Sequence, residues 1–259
     1  MTNEIVFYDI LAQKSTAKER AWSPNTFKVR YALAFKGLPF KTVWVEFPDI
    51  AGACKKIGAP PTETNPDGSP YYTLPVIQDP STGKVVSDSW AIVEYLDNTY
   101  PDRPALLPKG TLGLQWAFTY TSMQVAIDEM LANMMFDVYK LLPPRSQDYF
   151  RVTREKFFGC KLEEISTGQK YIDQWGKTEA GFTKIKDVIK KNGEGAQFVM
   201  GDTVSFGDLF LASWLLWIRQ TASGEQWEKV RGWDAGFWGK FVDSLVKYEV
   251  YDEGEVYKV

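Results

Sequence analysis

The chain has 259 residues, with 30 Lys+Arg against 33 Asp+Glu and a formal charge of −3, a near balance that lacks the basic excess of a nucleic-acid footprint. With 44% apolar and 24% charged residues it can bury an ordinary core, and its length suits one large domain or two modest ones. It contains no histidine, which excludes His-based nucleophilic sites, His general bases and His-ligated metals.

Catalysis therefore falls to hydroxyls, carboxylates, amides, lysines or a group borrowed from a substrate. Two cysteines, Cys54 and Cys160, make neither a disulfide framework nor a four-thiolate site. No acidic calcium loop occurs, so no metal is expected. Gly193-Glu194-Gly195 lacks a third glycine and no Gly-Lys pair completes a phosphate loop. Residues 1–14 carry Glu4 and Asp9 and show no basic-then-apolar signal pattern. The longest near-apolar stretch, 209–218, is about half of what a membrane span needs. These features predict a cytoplasmic protein with reduced cysteines. The aromatic content of 15% implies large flat apolar surfaces, for packing or for flat ligands.

In chain order, Ile5, Val6 and Phe7 predict a first strand. Ser23-Pro24-Asn25-Thr26 then opens a helix that runs to Lys36 and stops at Gly37, with Ser23 as N-cap, Pro24 at the first helical position and Val29, Ala32 and Leu33 facing inward. Lys41 to Phe47 is β-branched and aromatic and predicts a second strand. Residues 48–73 are rich in Pro, Gly and Asp, with a short helix expected around 51–57. Residues 74–77 and 84–87 flank Asp79-Pro80-Ser81-Thr82-Gly83 as a hairpin, followed by a helix from Asp88-Ser89 with Pro101 beyond its end. A Pro-punctuated linker follows, and from Thr111 the pattern is helical without a convincing strand. This gives an α/β domain of βαβ-ββα order over residues 1–104 and an all-α domain over 105–259.

Three stretches carry candidate chemistry. At a strand-to-helix junction, the Ser23 hydroxyl and the first free N–H groups offer an anion site, unless Ser23 is a plain cap. Leu74-Pro75 precedes a strand, where a cis bond would turn the preceding backbone outward as a free edge. At the next helix start, Ser89 and the N–H groups could take a carboxylate while Asp88 takes an ammonium. Together they describe a peptide-like ligand with an α-amino acid head and an anionic atom near Ser23.

In this, residues 1–104 resemble the thioredoxin-like domain of cytosolic glutathione transferases, whose Ser, Tyr or Cys before a first helix, cis-Pro and acidic-Ser pair are matched by Ser23, Pro75 and Asp88-Ser89. Gly201 to Asp208 is similar to the folding motif of the same superfamily, with Ser205 and Asp208 as an S-x-x-D capping box. The run 22–26 with 36–46 resembles the serine-type fungal class A, etherase-related members. The resemblance implies glutathione as co-substrate, Ser23 with Asn25 as rival donor to its thiolate, and Leu74, Pro75, Asp88 and Ser89 around the tripeptide. Lys41 is a candidate for its glycine carboxylate. It implies an acceptor pocket in an interdomain cleft, with Trp22, Tyr120, Met123 and Met134 among its residues, and a homodimer.

The expected function is a transferase acting on bulky aromatic electrophiles or aryl ethers, in detoxification and with possible peroxidase side activity. The alternatives are a glutathione-dependent protein that sequesters flat phenolic or polyphenolic ligands with little turnover, and a transferase-like interaction module. The intact set of Ser23, Pro75 and Asp88-Ser89 argues against the last.

Overall fold

The computed structural model describes residues 4–258. In chain order the elements are β1 (Ile5–Ile10), α1 (Ala17–Arg20), α2 (Pro24–Phe35), β2 (Phe40–Val45), α3 (Ile50–Lys56), β3 (Glu63–Thr64), β4 (Pro70–Tyr71), β5 (Val76–Asp79), β6 (Lys84–Ser87) and α4 (Ser89–Thr99), followed by α5 (Leu112–Ser122), α6 (Asp128–Leu141), α7 (Pro144–Phe158), α8 (Gly168–Lys190), α9 (Phe206–Thr221), α10 (Gly224–Leu245) and β7 (Glu255–Val256). A thioredoxin-like α/β region with a mixed sheet thus precedes a helical region. The chain divides into two compact units: one takes residues up to Leu106 with Leu141–Tyr149 and the chain from Tyr248 on, and the other takes Leu107–Lys140 and Phe150–Lys247.

In the first unit the sheet order is β6-β5-β1-β2-β7. β1 is parallel to β2 and antiparallel to β5, and β5 and β6 form the expected hairpin. β1 is interior, so it reads as a nearly continuous apolar run, buried at all positions but Val6. The excursion 48–73 contains α3 and a small hairpin, β3 with β4, whose turn is held by Asp67 Oδ1 accepting from the Ser69 N–H at 2.9 Å.

The strand β7 lies where the sequence predicted only helix. It adds to β2 in parallel, because the preceding residues are bonded along the edge of β2. Asp252 accepts from the Thr42 N–H at 2.7 Å and from the Thr42 hydroxyl, and the Trp44 indole donates to the Glu253 carbonyl at 2.9 Å. Beneath them the buried Arg30 pairs with the buried Asp9 at 2.8 Å and lies within 5.5 Å of the ring centres of Phe7, Phe40, Trp44 and Tyr251. Gly254 has φ +61°, and a Cβ there would meet the Thr42 carbonyl and sit 2.8 Å from Trp44 Nε1. Both facts demand glycine.

The second unit is built around α9, buried from Phe206 to Ile218, so it is apolar all round rather than along one stripe. α5 and α10 pack on it. Between α5 and α6 the helix widens into a π turn over Met123–Ile127. α8 crosses this turn so closely at Gly181 that a Cβ would meet the Val125 carbonyl and lie 2.6 Å from Ala126 Cα. α10 breaks where Asp234, Ala235 and Gly236 all have positive φ. Asp234 holds that break by accepting from Lys186 at 2.6 Å and from the Trp238 indole at 3.0 Å. Eight of the ten Trp are buried, so most of the tryptophan content is packing.

Candidate functional site

The site is built from the starts of α2 and α4 and the bend before β5. Ser23 occupies the N-cap position of α2, buried, with extended backbone, and Pro24 follows at the first helical position. Its carbonyl accepts the Phe27 N–H and the Thr26 hydroxyl. Its own hydroxyl makes no capping bond and has no partner among the described residues. The N–H groups of Asn25 and Thr26 belong to the first turn, where helix geometry supplies no acceptor. Ser23 therefore departs from the ordinary N-cap, whose side chain would bond back to that turn.

The Leu74–Pro75 bond is cis. Val76 pairs with Ser87 across the hairpin, so this register brings Leu74-Pro75 beside Ser87-Asp88. Asp88 is the N-cap of α4: its Oδ1 accepts the Trp90 and Ala91 N–H groups at 2.9 and 3.1 Å, and its Oδ2 has no hydrogen-bond partner among the described residues. Asp88 has φ +77° and ψ 134°, a conformation that costs a non-glycine residue about 1–3 kcal/mol. The buried Ser89 opens the helix with an N–H outside the intrahelical ladder.

α2 packs on α4, and one residue that the sequence reading did not single out links them. Lys28 is buried on α2 and donates to Asn25 Oδ1 at 2.8 Å. Burial pulls its ammonium down to about 8, against the opposing pull of the Asp88 charge. The sequence held a signal for it: Asn25 and Lys28 are i and i+3 on one helix and so are neighbours.

The other expected residues are placed differently. Lys41 Nζ lies 3.0 Å from the Glu255 carboxylate, both side chains about half exposed or more; a surface ion pair occupies it. Trp22 is buried against Phe47, ring centres 6.2 Å apart, and its indole N–H has no hydrogen-bond partner among the described residues. In the second unit Tyr120 is 52% exposed and stacks on Trp116 at 5.1 Å, Met123 opens the π turn, and Met134 is fully buried. Met134 thus fills core, because it lies on the apolar face of α6 with Met130 and Val138. Among the described residues no group of acidic or thiol side chains could hold a metal ion, and no helix is long and apolar enough to cross a membrane.

Residues 22–99 match the profile of the glutathione S-transferase N-terminal domain, and residues 113–248 that of the glutathione S-transferase C-terminal domain. A crystal structure of a glutathione transferase from Phanerochaete chrysosporium aligns with a TM-score of 0.91 at 47% identity, covering 96% of this chain and 98% of that one. A glutathione S-transferase of Ceriporiopsis subvermispora, crystallised in complex with glutathione, aligns with a TM-score of 0.91 at 43% identity over 97% of this chain and 100% of its own. The glutathione S-transferase-like protein ustS of Aspergillus flavus is 29% identical over 82% of this chain and 79% of its own length. The chain belongs to the glutathione S-transferase family.

Proposed function

We propose that this chain is an enzyme that binds glutathione and uses the Ser23 hydroxyl to stabilise its thiolate for attack on flat aromatic electrophiles or aryl ethers. The observation that carries this is the unpartnered Ser23 hydroxyl at the start of α2, on a helix packed against the one that begins at Asp88. The free Asp88 Oδ2 suits the γ-glutamyl ammonium. The Ser89 N–H and hydroxyl suit its carboxylate, and the backbone at Leu74-Pro75 suits pairing with the cysteinyl segment as an added strand.

The chemistry needs no histidine because glutathione brings its own nucleophile. Lowering a thiol pKa by about two units requires roughly 2.7 kcal/mol. A hydrogen bond to an ionised group supplies about 1.5–3 kcal/mol, and a helix N-terminus adds about 0.3–2 kcal/mol. The thiolate sulfur forms a bond to the electrophilic carbon, and halide or aryloxide leaves with the electron pair of the broken bond. The exposed Tyr120 face and Met123 are the residues we assign to the acceptor side. By kinship with the family we read the protein as a cytoplasmic homodimer.

The test is conjugation of glutathione to a chlorinated dinitrobenzene and cleavage of an aryl ether, by the wild type and Ser23→Ala, with glutathione binding measured by calorimetry. Binding with turnover that falls in Ser23→Ala supports the reading. Glutathione binding without turnover of either substrate would leave a sequestering protein instead.

A further inference from the structure

We infer that Lys28 is a positioning residue of this site: its buried side chain fixes the Asn25 amide so that Asn25 serves a bound tripeptide only as a hydrogen-bond donor. The inference rests on the glutathione-binding reading above and extends it to a side chain that need not touch the ligand.

Donor and acceptor chemistry fixes which end of the amide faces Lys28. A lysine ammonium has three donors and no acceptor. The atom of Asn25 facing Lys28 at 2.8 Å must therefore be the amide oxygen, and the Nδ2 hydrogens point away from Lys28. Asn25 is exposed and lies in the first turn of α2, two residues from the Ser23 hydroxyl. Its outward groups are thus donors, in a region whose backbone also offers only N–H. An amide free to turn would present its oxygen half of the time to the same anionic atoms and repel them.

Keeping an ammonium in this place is unfavourable, since Lys28 is almost wholly withdrawn from water. Asn25 on α2 accepts a hydrogen bond from it, and the charge of Asp88 at the start of α4 favours its ammonium. Burial outweighs the pull of Asp88 and leaves Lys28 charged at neutral pH and neutral above about 8. A neutral amine can accept a hydrogen bond as well as donate one, so it no longer dictates which end of the amide it meets. The lock therefore opens as pH rises through this value.

The test uses the whole chain in three forms, wild type, Lys28→Met and Lys28→Arg, with Asn25→Ala and the double variant Lys28→Met/Asn25→Ala for comparison. Lys28→Met is expected to weaken glutathione binding about fivefold, the loss of one amide hydrogen bond, with kcat changed less than twofold. Lys28→Arg, another donor-only cation, restores the affinity. The double variant binds no worse than Asn25→Ala alone, because the two residues act through one bond. Binding of S-methylglutathione, which has no thiol to titrate, falls above about pH 8 more steeply in the wild type than in Lys28→Arg, which shares only the titration of the ligand's own ammonium. Independent losses that multiply in the double variant would overturn the proposal.

A ligand-free measurement separates this inference from the functional reading. The side-chain amide resonances of Asn25, followed by NMR in the wild type, are expected to titrate together with Lys28 near pH 8. Asn25 amide resonances that are the same in the wild type and in Lys28→Met would overturn the lock whether or not the protein binds glutathione. Resonances that move in a protein that binds no glutathione would establish the lock, sink the functional reading, and with it overturn the role assigned to Lys28 in ligand binding.

Discussion

Ser205 and Asp208 bond to each other across the first turn of α9: Asp208 Oδ2 accepts the Ser205 N–H at 2.8 Å and the Ser205 hydroxyl at 3.0 Å. The other carboxylate oxygen accepts the Val199 N–H at 2.7 Å, so one buried side chain starts the central helix and ties down the loop before it. Asp208→Ala is expected to lower stability by about 2–4 kcal/mol, the loss of a helix cap together with donors left unpaired in the interior. Denaturant titration checks this. Unchanged stability with lost turnover would move Asp208 from the fold to the site.

The same carboxylate makes a pH prediction. Burial pushes Asp208 up from 3.8 to about 7 against the hydrogen bonds that pull it down. Between about pH 4 and pH 7 the folded chain therefore holds a proton that the unfolded chain has released. The stability this brings is full below pH 4 or so and is lost as pH rises through about 7. The Tm of the wild type should fall relative to that of Asp208→Asn between roughly pH 4.5 and pH 7.5. A difference that stays constant over this range would show that the N–H donors keep the group ionised.

At Gly181 a methyl group would strike the π turn at Val125 and Ala126, and two backbones cannot both give way. Gly181→Ala is expected to cost about 3 kcal/mol, the upper part of the range for overpacking. Urea titration would read it directly. A cost under about 1 kcal/mol would mean that α8 shifts freely over the turn.

Gly254 differs, because there the strain falls on a terminal segment. Gly254→Ala should loosen β7 from β2, exposing residues 249–258 to limited proteolysis while the rest of the chain stays folded. Equal protease resistance of variant and wild type would show that the edge of β2 is held without that contact.

Ser23 and Asn25 both stand at the start of α2, and they should fail differently. Ser23→Ala is expected to raise the pKa of bound glutathione and to cut turnover roughly 10- to 100-fold, the size of one charge-assisted hydrogen bond, with little change in affinity. Asn25→Ala should mainly weaken binding. This pattern marks Ser23 as the group whose contact strengthens in the transition state. Intact turnover in Ser23→Ala, with none in Asn25→Ala, would assign the catalytic donor to the amide. Ultraviolet thiolate absorbance and steady-state kinetics decide between them.

Local chemistry made much of this protein legible in its sequence. Ser23-Pro24 fits the start of the apolar-periodic run that follows, because within a helix proline is tolerated only in the first turn. Ser205 and Asp208 carried their capping box in their spacing alone. The hairpin around Asp79 to Gly83 and the helix from Asp88 followed from turn residues and apolar spacing. The absence of histidine removed whole classes of mechanism before any fold was known.

Other features depend on residues far apart in the chain or on side-chain geometry, and only the tertiary structure decided them. A two-residue strand such as β7 has no periodicity of its own; it exists because Asp252 and Glu253 meet Thr42 and Trp44 along β2. Gly181 looks like any helical glycine until the π turn is seen against it. The Ser23 hydroxyl and an ordinary cap share one sequence, and only the missing capping bond separates them. Lys28 reads as a charge on an apolar face, yet it is buried, which turns a helix-surface pair with Asn25 into a fixed orientation. Burial and long-range contact determine which polar groups are satisfied and which remain free for a ligand, and the sequence records neither directly.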